Sequence, residues 1–160
     1  MNEKIRIVHS ADWHLGVMSG PRVANELPLM FKSVLDAANE LANFVEENNV
    51  DLVILSGDIL NRGNPAPLVL NSLSKILKKI VDTGAKIVFL IGNHEIPGWG
   101  EHPLKIYEIL GIEDIIVADD ATVYNIELKN TEMQIATIPY NTLHNKQFET
   151  NPSFFAWLAK

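Results

Sequence analysis

The 160-residue chain contains no cysteine. Disulfides, thiolate zinc sites and a thiol nucleophile are excluded, so any bound metal must be held by oxygen and imidazole, which favours hard or borderline divalent ions. There is no apolar run of ~18 or more residues and no basic segment leading into an apolar signal stretch. Neither a membrane span nor a secretory leader is therefore readable, and a cytoplasmic protein is the expectation. Positive charge is scarce as well: 13 Lys and Arg stand against 20 Asp and Glu, a formal net charge of −7. A free-standing nucleic-acid clamp usually displays a basic patch that releases counterions from the phosphate backbone, and this composition speaks against one. Phosphate chemistry stays open, because bound divalent cations reverse the local field around clustered acids.

With 47% hydrophobic residues, a chain of this length builds one domain that buries roughly 70% of the surface its unfolded form exposes. Ile5 to His9 reads as a first strand, followed by a Gly- and Pro-punctuated loop from Gly16 to Pro28. Pro28 suits the first turn of a helix whose face carries Phe31, Val34, Leu35, Ala38, Leu41, Ala42 and Val45. Asp51 to Leu55 is a second strand. After a loop from Gly57 to Pro67, a second helix places Val69, Leu70, Leu73, Ile76, Leu77, Ile80 and Val81 on one side and Leu68 well away from them. Lys86 to Ile91 makes a third strand, a short helix runs from Pro103 to Gly111, and Ile115 to Val117 is a brief strand. Thr122 to Leu128 and Met133 to Ile138 read as a hairpin around Lys129-Asn130-Thr131-Glu132, and Pro152 opens a last helix through Trp157. This βαβαβ alternation predicts an α/β fold with parallel pairing and right-handed crossovers. No repeat, low-complexity tract or linker divides residues 1–160.

Three short motifs follow the three apolar strands: Asp12 and His14 in His9-Ser10-Ala11-Asp12-Trp13-His14-Leu15-Gly16, Asp58 in Ser56-Gly57-Asp58, and Asn93 and His94 in Gly92-Asn93-His94. All of them would emerge at strand ends, where an α/β sheet presents its ligand crevice. A two-metal hydrolase needs short carboxylates to fix its ions and neutral ligands that leave the site some Lewis acidity. Asp, His, Asp and Asn meet that need. Such a site polarises a phosphoryl oxygen and generates hydroxide to attack phosphorus, and His94 is placed to assist the leaving group. Arg22 and Arg62 lie in the loops after the first and second motifs, where they suit phosphate contact. Trp99, after the third, suits either stacking on a base or packing of its loop. His9 reads as a supporting or core imidazole, Trp13 as loop packing, and Lys75, Lys78 and Lys79 as a solvated helix face.

These motifs, in this order, resemble the calcineurin-like metallophosphoesterases, whose pattern is Asp-x-His, Gly-Asp and Gly-Asn-His followed by two later histidine motifs. Within that superfamily the run from His9 to Gly16 is similar to the SbcD branch, the nuclease subunit of SbcC–SbcD DNA double-strand-break repair complexes. The likeness extends from Ile5 to about Tyr140. It implies a layered sheet fold flanked by helices and a metal-dependent nuclease acting on DNA. It also implies that Asp12 and His14 hold one manganese ion, Asp58 bridges two, Asn93 holds the second, and His94 is a catalytic imidazole but not a ligand. An SbcC-type ATPase partner is implied too, with a homodimer formed through the helices after the second and third motifs, where Leu68 and Leu104 fall.

The sequence departs from that pattern in two ways. Asn61 and Glu95 stand where aspartates are common in the SbcD branch, and neither position is a usual ligand. The family's later histidine and Gly-His-x-His motifs are absent, and His102 and His144 read as solvated. The chain is thus expected to represent the N-terminal portion of a nuclease domain, without the C-terminal strands and with weak or no catalysis on its own. Two other functions are compatible with the same residues: a non-catalytic module that dimerises or binds a partner, and a small phosphodiesterase or phosphatase unrelated to DNA repair.

Overall fold

Strand order decides the layering here. The computed structural model describes residues 4–23 and 27–140, with strands β1 (Ile7–Ser10), β2 (Leu52–Ser56), β3 (Lys86–Leu90) and β4 (Ile115–Ala118) pairing in parallel as β1-β2-β3-β4. Helix α1 (Leu29–Glu47) joins β1 to β2, α2 (Pro67–Val81) joins β2 to β3, and the short α3 (Lys105–Ile109) precedes β4. When each crossover is right-handed and each new strand is added on the same side, every connecting helix falls on the same face of the sheet. The burial pattern agrees: Phe31, Ala42 and Val45 of α1 and Leu73, Ile76 and Leu77 of α2 form one core with Val53, Leu55, Ile87 and Phe89. Each fully buried aliphatic or aromatic side chain contributes about 1.5–3 kcal/mol.

The other face is covered by an antiparallel hairpin of β5 (Thr122–Leu128) and β6 (Thr131–Thr137), through a smaller cluster of Leu52, Val88, Ile126 and Leu128. Its turn is tighter than the four residues expected from the sequence. Leu128 pairs with Thr131, so only Lys129 and Asn130 turn the chain, with φ of 48° and 59°. Two left-handed residues in succession match the right-handed strand twist, which is why the turn closes in two. The expected first strand likewise starts later, at Ile7. The helix expected after Pro152 lies outside the described residues. None of the helices described is long and apolar enough to cross a membrane.

Candidate metal centre

The loops that leave β1, β2 and β3 meet at the carboxyl end of the sheet. The first and second run side by side as a backbone ladder: Asp12 N–H donates to the Gly57 carbonyl (3.1 Å), His14 to Asp58 (2.9 Å), Leu15 to Ile59 (2.8 Å), and Asn61 back to Leu15 (3.0 Å). The second and third touch so closely that side chains are excluded between them. A Cβ on Gly92 would stand 2.4 Å from Asp58 Oδ1, and one on Gly57 would stand 2.9 Å from Gly92 Cα. The glycines of Gly57-Asp58 and Gly92-Asn93-His94 thus have a steric reason: only bare backbone lets the two loops approach.

Three residues of these loops present ligand atoms to one point. His14, Asp58 and His94 each place one within 4.8 Å of the other two, and the rings of His14 and His94 meet edge to face with centroids 4.5 Å apart. His14 Nδ1 is buried with no hydrogen-bond partner among the described residues, a costly state for a polar atom. His94 is oriented from both sides, its backbone N–H donating to Asp58 Oδ1 (2.9 Å) and its Nδ1 lying 2.8 Å from the Asn61 carbonyl. Strain gathers at the same place. Asp12, His14 and Asp58 are three of the six non-glycine residues with positive φ among those described, at 56°, 49° and 52°. Such conformations persist where surrounding structure enforces them, characteristically at functional sites. The Asp58 carboxylate and the His14 imidazole meeting at one point, with the His94 ring beside them, are donor chemistry that fits a borderline divalent cation.

The remaining site residues lie in the loops of the same three motifs or just after them. Asp12 and Asn93 are exposed in the loops after β1 and β3, and Asp12 does not join the carboxylate and imidazole convergence. Arg62 borders a cleft of about 410 Å³ that also touches Leu15, Met18, Pro65 and Val69. Arg22 is exposed in the loop before α1, and Trp99 projects into solvent at 87% exposure. Trp13 packs as expected, its indole N–H donating to Ser10 Oγ (2.8 Å). His9, expected as a core or supporting group, is exposed on the hairpin side with Nε2 2.7 Å from Ser56 Oγ. That face is only partly roofed at β1, so the alternation that turned His9 away from the helices turned it to solvent. His102 is not solvated either: its side chain is 12% exposed and lies 3.5 Å from Asp119. His144 lies outside the described residues.

One residue here reads in the sequence as a non-ligand. Glu95 is completely buried, and its carboxylate accepts three backbone N–H bonds, from Asp58 (2.9 Å) and Gly92 (2.9 Å) on Oε2 and from Leu60 (2.7 Å) on Oε1. Burial raises its pKa, the three donors oppose that rise, and the neighbouring charge of Asp58 adds to it. Its place directly after Gly92-Asn93-His94 was the available clue.

The dimer expectation needs correction. Leu104 is 0% exposed and belongs to the helix-side core, so it is no surface residue. Leu68 is exposed, as its helical phase requires, and the outward apolar residues on α3 and at its C-cap are Ile106, Ile109 and Leu110, the last two at 72% and 65%. A helix of five residues carries too little periodicity for its phase to be read beforehand.

A mixed α/β fold with this motif-bearing rim has known counterparts. Residues 5–160 match the calcineurin-like phosphoesterase family, and the chain belongs to it. Among curated proteins it is similar to the D subunit of the nuclease SbcCD from Bacillus subtilis, 32% identical over 95 residues that make up 58% of this chain and 22% of the relative. It is also similar to the DNA double-strand break repair protein Mre11 of Saccharolobus solfataricus, 29% identical over 93 residues, 58% of this chain and 23% of that protein. The corresponding SbcCD protein of Escherichia coli is 31% identical over 93 residues, 57% of this chain and 21% of the relative. The chain therefore matches about a fifth of the length of these relatives.

Proposed function

We propose that this chain carries the motif-bearing N-terminal portion, residues 1–160, of a divalent-metal nuclease domain that hydrolyses phosphodiesters in DNA. The convergence of ligand atoms from His14, Asp58 and His94 is the observation that carries this reading, and the buried His14 Nδ1, without a hydrogen-bond partner among the described residues, supports it. Asp12 and His14 would hold one ion, Asp58 both and Asn93 the second, with manganese the best match to a carboxylate, carboxamide and imidazole set. Bound there, the cations supply Lewis acidity toward the phosphoryl group and activate water. His94, its ring fixed by the Asn61 carbonyl, delivers a proton toward the departing oxygen from Nε2. Arg62, Arg22 and Trp99, from the loops that follow the three motifs, would hold the polynucleotide through phosphate and base contacts.

The names of the relatives, a subunit of the nuclease SbcCD and a DNA double-strand break repair protein, support a DNA substrate; an SbcC-type ATPase partner and a cytoplasmic setting complete the proposal. A homodimer through α2 and α3 would bury Leu68, Ile106, Ile109 and Leu110. Titration of the purified chain with Mn2+ by calorimetry, together with hydrolysis of bis-p-nitrophenyl phosphate with and without chelator, tests the core of the proposal. Binding is expected, with at most weak, chelator-sensitive turnover. A chain that binds no Mn2+ at millimolar concentration would refute the metal centre, and a metal-free dimer without turnover would favour the non-catalytic module.

A further inference from the structure

Glu95 occupies a position that neither ligation nor substrate contact explains. It is completely buried, and both carboxylate oxygens accept backbone N–H groups, so the side chain faces the backbone of the loops and is not presented to a substrate at the surface. Those donors are not randomly drawn. Asp58 and Leu60 belong to the loop after β2, and Gly92 to the loop after β3. Oε2 joins the two loops at the point of their closest approach, where the Gly92 backbone meets Asp58, and Oε1 anchors the second loop two residues further on. The bond to Asp58 N–H holds the backbone of a residue at φ 52°, whose Oδ1 in turn accepts the N–H of His94.

We infer that Glu95 is the positioning residue of the metal centre: through Asp58 N–H, Leu60 N–H and Gly92 N–H it sets the separation and orientation of Asp58 and His94. It acts through these loops and never through direct contact with a cation or substrate. The inference rests on the proposed metal centre and deepens it. Chemistry makes the carboxylate hard to replace, because it is the only side-chain group of this size that offers acceptors on both prongs and donors on neither. In Glu95→Gln one prong becomes an NH2 group facing N–H donors, so either Leu60 or the Asp58–Gly92 pair loses its acceptor. Glu95→Asp keeps both acceptors and the charge on a shorter stem.

The test is Mn2+ affinity measured by calorimetry on the full chain, well below the melting temperature, for the parent, Glu95→Gln, Glu95→Asp and Ile80→Ala. Ile80 is a buried core residue of α2 and reports what loss of stability alone does to binding. Changing a group that orients ligands typically costs 10- to 100-fold in affinity, and that loss is expected for Glu95→Gln. Glu95→Asp should fall between it and the parent, while Ile80→Ala lowers the melting temperature with affinity within about 3-fold of the parent. Should Glu95→Gln fail to fold, Glu95→Asp carries the test by the same comparison. Undiminished affinity in the folded Glu95 variants, or a loss no greater than in Ile80→Ala, overturns the inference alone. A parent that binds no Mn2+ overturns the metal centre along with it.

Discussion

The two halves of the candidate site are built differently. The loops after β2 and β3 are bound to one another by side chains: Glu95 takes three N–H groups, Asp58 takes the N–H of His94, and the His94 ring meets the Asn61 carbonyl. The loop after β1 is held to its neighbour by backbone alone, through the ladder from Asp12 to Leu15, while His14 Nδ1 is left without a partner among the described residues. One half is preorganised by its own hydrogen bonds, whereas the other presents a ligand whose partner is not supplied by the described residues. A buried imidazole nitrogen without a partner costs stability in the apo chain and returns it on coordination. Metal binding should therefore depend on both halves, and apo stability mainly on the first.

Substitutions that separate the halves test this division. Asp58 serves both, since its carboxylate faces His14 and holds His94. Orienting groups are worth 10- to 100-fold, so loss of the shared ligand should cost more: Asp58→Ala is expected to lower Mn2+ affinity by over ~100-fold and reduce Mn2+-dependent hydrolysis to background. Loss of general acid help is worth about 10²- to 10⁴-fold, and His94→Ala should fall near the lower end, with Mn2+ affinity changed only a few-fold. An affinity loss as large as that of Asp58→Ala would instead make His94 a ligand. His14→Ala is the sharper contrast. It should weaken Mn2+ by about 10- to 100-fold while the apo melting temperature stays within a few degrees of the parent, because the orphaned nitrogen leaves with the side chain. A large drop in apo stability would contradict the division.

The sequence displayed the better-ordered parts of this arrangement. The spacing of Phe31, Ala38, Ala42 and Val45, and of Val69, Leu73, Ile76 and Leu77, shows which side of each helix is buried, and those faces form the core. Strand-end placement of Asp12, His14, Asp58, Asn93 and His94 follows from β-branched runs ending in short motifs. Glu95 was not readable, because its importance lies in bonds to backbone N–H groups as many as 37 residues away, and backbone donors have no residue type. Leu104 went astray for a related reason: it stands just before a five-residue helix, too short to show a phase, and its burial comes from the core it joins. The outward face of β1 depends on how much of the sheet the hairpin covers, which no local pattern encodes.

At the opposite end of the sheet a third kind of tie contrasts with both halves, since it is electrostatic and remote from the metal ligands. Asp51, just ahead of β2, receives the Lys129 ammonium of the hairpin turn (2.8 Å) and the Arg6 backbone N–H (2.8 Å). Burial pushes its carboxyl upward, but the Lys129 and Arg6 contacts outweigh that and hold its pKa below the ordinary 3.8. A folded pKa below the unfolded one means the carboxylate stabilises the fold above the unfolded value and ceases to do so as pH falls through the folded one. The contribution should thus be whole at neutral pH and fade below about pH 4. Asp51→Asn is expected to lose under about 1 kcal/mol at pH 7 and to show a flatter acid limb in thermal melts than the parent. Its Mn2+ affinity should match the parent's, because the hairpin turn it secures lies across the sheet from His14, Asp58 and His94. An affinity change in Asp51→Asn would mean that the hairpin and the metal rim move together, and the two ends of the sheet could no longer be treated as independent.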